Sequence, residues 1–126
     1  MGRYLLDTHI LIWWLSDADK LSPEVYAIIA NTSNQIYVSA ASIWGIAIKE
    51  ALGKLKVDAD LSQLIQENGF TELQISAKHA NTTKTLPLIH RDPFDRMLIA
   101  QAIEESLTLI SVDRYIGQYE GLVVLG

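Results

Sequence analysis

The stretch His90-Arg91-Asp92-Pro93-Phe94-Asp95-Arg96-Met97-Leu98-Ile99-Ala100-Gln101-Ala102 reads as a helix start. Asp92 offers a carboxylate to the free backbone N–H groups of a first turn, and Pro93 suits the first helical position because it has no N–H to lose. Asp95 falls in that turn, where the helix dipole favours negative charge. Leu98, Ile99 and Ala102 then recur at helical spacing and give one apolar face. Taken alone, this is a well-capped helix with two acids at its start. It gains a second meaning only if other carboxylates reach the same place.

Downstream, Thr108-Leu109-Ile110-Ser111-Val112 is a buried-type strand that ends at Asp113. Arg114-Tyr115-Ile116 forms one turn or a short helix, and Leu122-Val123-Val124-Leu125 a last strand. Upstream, Pro87 breaks the chain, Ser76 caps a polar helix to about Thr85, and Phe70 to Ile75 is a strand. Asp60 or Ser62 opens a short helix through Leu61, Leu64 and Ile65, closed by Asn68-Gly69. Ser39 begins a helix over Ala40 to about Leu52, stopped by Gly53. Gln35 to Val38 is a strand, and Leu21-Ser22-Pro23-Glu24 a helix start. At the beginning, Arg3 to Leu6 is a strand ending in Asp7, after which Ile10, Leu11, Trp14 and Leu15 share a helix face. About five short strands thus alternate with helices. That predicts an α/β fold: a mostly parallel sheet with helices on both faces, a three-layer α/β/α sandwich over residues 1–126 as a single domain.

With 126 residues the chain is long enough for a real core. It has no cysteine, which excludes disulfides, thiolate metal sites and cysteine nucleophiles and fits a reducing compartment. The opening apolar run ends early, at Asp7, unlike a secretory leader, and no apolar segment is long enough to cross a membrane. The formal charge of −5 excludes phosphate binding by bulk positive charge, so a nucleic-acid role needs a local basic patch, bound cations or a basic partner.

Asp7 and Asp113 each end an apolar strand, and parallel strands bring their carboxyl ends to one sheet edge, where ligands bind. Asp7 or Thr8 also reads simply as a helix cap. A helix antiparallel to those strands is expected to start at the other edge, so Asp95 needs a long or offset helix to join them. If three carboxylates meet, like charges raise one another's pKa and a divalent cation removes the conflict. Oxygen ligands without thiolate select Mg²⁺ or Mn²⁺, which activates water and stabilises a leaving oxygen in phosphodiester hydrolysis. No glycine-rich phosphate loop, zinc-protease pattern or nucleophile elbow is present. His9, His79 and His90 lack ligand spacing and read as surface or packing residues. Lys49, Arg91, Arg96 and Arg114 are candidates for phosphates, or solvated surface charge. Trp13, Trp14 and Trp44 lie in helical apolar patterns and read as core or dimer contacts.

The sequence resembles a PIN domain, specifically a VapC-type toxin ribonuclease of bacterial toxin–antitoxin pairs. Four landmarks carry this in order: Tyr4-Leu5-Leu6-Asp7-Thr8-His9; Ser39-Ala40-Ala41-Ser42-Ile43-Trp44 with Ile46-Ala47-Ile48-Lys49; His90 to Arg96; and Ser111-Val112-Asp113. The resemblance implies an acidic pocket that binds Mg²⁺ or Mn²⁺, cleavage of RNA, a homodimer, a cytoplasmic setting and a cognate antitoxin. It gives metal-site and catalytic roles to Asp7, Asp95 and Asp113. It makes Asp92 an additional acid or only a cap, and sets Thr8 and Ser111 beside the acids. It also implies a glutamate at position 45, where this chain has Gly45. Glycine inside a helix costs about 1 kcal/mol relative to alanine, so its presence needs a reason: close packing, or loss of a side chain. Glu50 is rotated away and substitutes poorly. The expectations are a ribonuclease impaired by Gly45, or an inactive module that binds RNA or an antitoxin. A metal-dependent phosphatase is a weaker third.

Overall fold

A computed structural model describes residues 1–57, 59–89, 91–119 and 124–126. His90 and the first two residues of the predicted last strand lie outside them. The elements follow in the order β1 (Arg3–Leu6), α1 (Thr8–Ser16), α2 (Pro23–Ala30), β2 (Gln35–Ser39), α3 (Ala40–Ala51), α4 (Leu61–Glu67), β3 (Thr71–Leu73), α5 (Ala77–Thr82), α6 (Pro93–Glu105), β4 (Thr108–Ile110) and β5 (Val124–Leu125). Short 3-10 turns cover Ala18–Lys20, Thr83–Thr85 and Ile116–Gln118.

The strands form one sheet in the order β3-β2-β1-β4-β5, and every pair is parallel. The alternation predicts a mostly parallel sheet; the described strands are entirely so. In the central register Leu5 stands between Tyr37 and Leu109, and Leu6 between Val38 and Ile110. Successive strand residues point to opposite faces, and the two leucines divide the core accordingly. Leu6, Val38 and Ile110 pack with residues of α1 to α4, including Ile10, Val25, Ile46 and Ile65. Leu5 and Leu109 pack on the other side with Leu98 and Ile99 of α6 and with Ile116. Both leucines are fully buried. Truncating either to alanine costs about 2–5 kcal/mol. Helices therefore cover both faces, and the three layers are those the strand–helix alternation predicts.

The helix starts form as the capping residues dictate. The Ser22 hydroxyl accepts the N–H of Val25, the Ser39 hydroxyl that of Ala41, and the Asp60 carboxylate that of Ser62. Asp92 Oδ1 accepts from both Phe94 and Asp95. At the end of α3, Gly53 takes φ +72°, which L side chains rarely adopt.

The placement of α6 corrects one expectation. Only Ser106 and Leu107 separate its end from β4, so its last turn lies at the amino edge of the sheet. Thirteen residues span about 20 Å at ~1.5 Å each, which carries its first turn back to the carboxyl edge. A helix feeding a parallel strand starts at the edge where the strands end. Asp92 and Asp95 reach that edge without any offset.

Candidate active site

Asp7 sits one residue beyond β1, and its N–H donates to the Ile110 carbonyl at 3.0 Å. It is buried, with 3% of its surface exposed. Its Oδ1 accepts the N–H of Ile10 at 2.9 Å, capping α1. Its Oδ2 accepts the hydroxyl of Ser111 in a short hydrogen bond. The same Ser111 oxygen accepts the N–H of Asp113 at 3.0 Å, so one buried hydroxyl joins the ends of β1 and β4 and fixes Asp113 relative to Asp7. Asp113 in turn accepts the N–H of Tyr115 at 2.7 Å. Burial pushes the Asp7 carboxyl above its ordinary 3.8; the bonds from Ser111 and Ile10 and the nearby His9 offset this in part, while the charge of Asp113 adds to it. A buried acid beside a second acid is a place where cationic charge is favoured.

Beginning at Thr8, the residue after Asp7, a cavity of about 260 Å³ lies between α1, α3 and the start of α6, and neither Asp7 nor Asp113 lines it. Thr8 and His9 line it from α1, Gly45, Ile48 and Lys49 from α3, and Asp92, Phe94 and Asp95 from the start of α6. Thr8 is anchored by donating its hydroxyl to Ser42 Oγ at 3.0 Å. A Cβ built on Gly45 would meet only the Phe94 ring, at 3.6 and 3.7 Å, which is ordinary contact. Close packing therefore does not account for Gly45, and the wall it leaves has room for a side chain. Glu50 does not fill the place: its carboxylate accepts the N–H of Val57 at 3.2 Å and holds the following loop.

The predicted acids fall into two groups. Asp7 and Asp113 are joined through Ser111, while Asp95 and Asp92 share the cavity wall with Thr8, the neighbour of Asp7. Among the described residues no three His, Cys, Asp or Glu side chains are close enough to cage a metal by themselves. An Mg²⁺-type ion does not require such a cage, because it keeps several waters and takes one or two carboxylates plus substrate oxygens. The carboxylates of Asp7, Asp92, Asp95 and Asp113 are the hard oxygen donors such an ion takes, while His9 shares the cavity wall with Asp92 and Asp95. Asp92 has one oxygen committed to its cap.

The cations also separate. Lys49 lines the cavity, Arg91 is exposed, and Arg114 stacks 5.1 Å from the Tyr115 ring centre. Arg96 points elsewhere, with its guanidinium bonded to backbone carbonyls of the 83–87 segment. Sequence reasoning underrates two residues. His9 lies on the cavity wall; its position two residues after Asp7 is the available signal. Ser42 is buried and receives Thr8, and lies one helical turn before Gly45. Of the tryptophans, Trp13 and Trp14 pack against the core, whereas Trp44 is 63% exposed beside Phe94.

Residues 4–122 match the PIN domain family. The chain belongs to that family. This PIN domain is 27% identical over 121 residues to ribonuclease VapC22 of Mycobacterium tuberculosis (strain ATCC 25618 / H37Rv), covering 90% of this chain and 89% of that protein. In fold it is similar to a chain of VapBC2 from Rickettsia felis bound to a promoter DNA fragment, with TM-score 0.72, 18% identity, and 98% and 97% of the two chains covered. DNA-bound VapBC from Salmonella typhimurium gives TM-score 0.68 and 19% identity over 99% and 98% of the chains. A toxin–antitoxin complex from Klebsiella pneumoniae gives 0.65 and 19% over 98% and 96%. No helix among the described residues is long and apolar enough to cross a membrane.

Proposed function

We propose that this PIN domain is a VapC-like toxin ribonuclease that hydrolyses RNA phosphodiesters in the cytoplasm, with its activity lowered by Gly45. The observation that carries this reading is the Asp7–Ser111–Asp113 linkage at the carboxyl edge, beside a cavity bearing Asp95. Asp7 and Asp113, with Asp95 across the cavity and Asp92 beside it, would hold Mg²⁺ or Mn²⁺, which when bound supplies Lewis-acid stabilisation of charge on the phosphate. Ser111 keeps Asp7 and Asp113 in register by donating to one and accepting from the backbone of the other. Thr8, tied to Ser42, holds the wall between Asp7 and the cavity. Lys49, Arg91 and Arg114 contact phosphates on either side of the cut, contributing position and not sequence choice. Arg96 is left out of this set because its donors are engaged within the protein.

The neighbouring VapBC structures support an antitoxin partner. Trp44 and Ile48 on α3 and Leu52 just after its end are exposed at intervals of four, an apolar row on one side of the helix that supports a homodimer. A second reading, an inactive module that binds RNA or an antitoxin, is favoured by Gly45 alone, since the open wall there carries no carboxylate.

The deciding experiment compares this chain with Gly45→Glu on a structured RNA, with Mg²⁺ or Mn²⁺ and with chelator. Cleavage by the glutamate form alone, and only with metal, establishes a disabled ribonuclease. Equal cleavage by both shows that Gly45 is tolerated. If neither cuts while both still bind the RNA, the binding-module reading holds. Within an active form, Asp7→Asn must abolish cleavage; unchanged metal affinity and cleavage would remove Asp7 from the site.

A further inference from the structure

Arg96 follows Asp95 in the first turn of α6, and its side chain meets several protein acceptors. Nη1 donates to the Pro87 carbonyl at 2.9 Å and to the Tyr119 phenol oxygen at 3.4 Å. Nη2 donates to the carbonyls of Thr83 at 2.8 Å and Leu86 at 3.2 Å. The Arg96 N–H also closes the first turn on the Asp92 carbonyl at 3.0 Å. One residue therefore ties together the turn bearing Asp92 and Asp95, the 83–87 segment and Tyr119.

Tyr119 matters because of what precedes it. It is buried, 4% exposed, and ends a run of turns that begins at Asp113. The Asp113 side chain accepts from Tyr115, the Asp113 carbonyl accepts the N–H of Gly117 at 3.4 Å, and Tyr119 N–H donates to Ile116 at 3.2 Å. The 111–119 segment is thus held at one end to Asp7, through Ser111, and at the other to α6, through the phenol and Arg96. A guanidinium suits such a junction because it is permanently charged and presents five donors in a rigid fork, whereas lysine offers three from a single point. Carbonyls in a partly buried loop need donors, and charge-assisted bonds are the stronger kind.

We propose that Arg96 is a positioning residue: through Tyr119 it fixes the first turn of α6, with Asp92 and Asp95, against the turn that carries Asp113. The functional side of this proposal rests on the acidic-site reading above. The test uses Arg96→Lys and Tyr119→Phe; the second removes a single hydroxyl and preserves the ring. The first readout is residue-resolved amide hydrogen exchange, in chelator. Losing a bond to a charged group should speed exchange at Tyr115, Gly117 and Tyr119 about tenfold by local opening, with β1 and β2 unchanged. The second is direct titration with Mn²⁺, in this chain and in Gly45→Glu, with Asp95→Asn as the reference for the site. Both variants should weaken Mn²⁺ binding several-fold while the midpoint of global unfolding for Tyr119→Phe stays near that of its parent. Unchanged exchange over 115–119 in both variants overturns the proposal. So does unchanged Mn²⁺ affinity in both where Asp95→Asn loses it. If Asp7→Asn and Asp95→Asn both leave Mn²⁺ affinity unaltered, the acidic-site reading fails, and the exchange result still decides whether Arg96 couples the two segments.

Discussion

Gly45 is the position where the structure makes its sharpest demand on experiment. It lies within α3, where glycine is worse than alanine by about 1 kcal/mol. A Cβ there meets the Phe94 ring at 3.6 and 3.7 Å and nothing nearer, so no clash offsets the helical gain. Gly45→Ala should therefore stabilise the protein by about 1 kcal/mol. Unfolding entropy of about 2.1 cal/mol/K per residue gives about 0.26 kcal/mol/K for 126 residues, and hence a rise in Tm of about 4 °C. Gly45→Glu has nearly the same helix propensity, but its carboxylate joins Asp92 and Asp95 around one cavity. In chelator it should gain less than alanine, because like charges oppose one another. Mn²⁺ at about 100 times its Kd should then add about 2.7 kcal/mol, roughly 10 °C, to the glutamate form. Thermal melts of the three proteins with chelator and with Mn²⁺ read all of this. An alanine variant that melts at or below the parent refutes an open wall at Gly45. A glutamate variant indifferent to Mn²⁺ refutes the idea that carboxylates at this cavity share a cation.

Asp7 has a signed pH prediction. Its folded-state carboxyl is raised above 3.8, chiefly by burial, so the folded state holds the proton more tightly than the unfolded chain does. The resulting stability is full below 3.8 and is lost as pH rises through the elevated folded value. The stability of the parent minus that of Asp7→Asn, from urea melts in chelator, should fall across that window; a flat or rising difference contradicts the assignment. Ser111→Ala leaves Asp7 Oδ2 and the N–H of Asp113 short of a partner and should cost about 1–3 kcal/mol in the same assay; a cost under about 0.5 kcal/mol, the scale of ordinary surface changes, denies it the linking role. Trp44→Asp alters a 63% exposed position. It should move sedimentation toward the monomer, and a dimer that persists places the self-contact away from the α3 row.

Much of the fold is legible in the sequence because its signals are local. Ser22, Ser39, Asp60 and Asp92 each begin a helix where a short acceptor side chain precedes the apolar pattern, and Ser76 caps a polar one. The strand–helix alternation yields the layers, and Asp7, directly after β1, marks the edge; Asp113 reads as ending its strand, whereas β4 stops at Ile110 and Val112 is exposed. What stays hidden depends on distant partners. Arg96 stands beside Asp95 in sequence and reads as a phosphate ligand, yet its acceptors lie 9 to 23 residues away. The Asp95 helix reads as starting at the wrong edge when the direction of a crossover is misjudged, although its two-residue junction with β4 contains the answer. His9 carries no spacing signature as a ligand, and only the packing of α1 against α3 and α6 sets it on the cavity wall.

The hydrogen bond between Asp7 and Ser111 spans 104 positions in the chain. At about 5–20 residues per second a ribosome makes those two residues about 5–20 s apart. The central strand β1 finds β2 early, but its other neighbour, β4, and the hydroxyl that aligns Asp7 with Asp113 arrive only after the intervening residues have been made. Every element from β1 to β4 thus exists before the acidic edge can assemble. If the site cuts RNA, a chain that stops before Ser111 lacks both the hydroxyl and the Asp113 carboxylate that complete this edge.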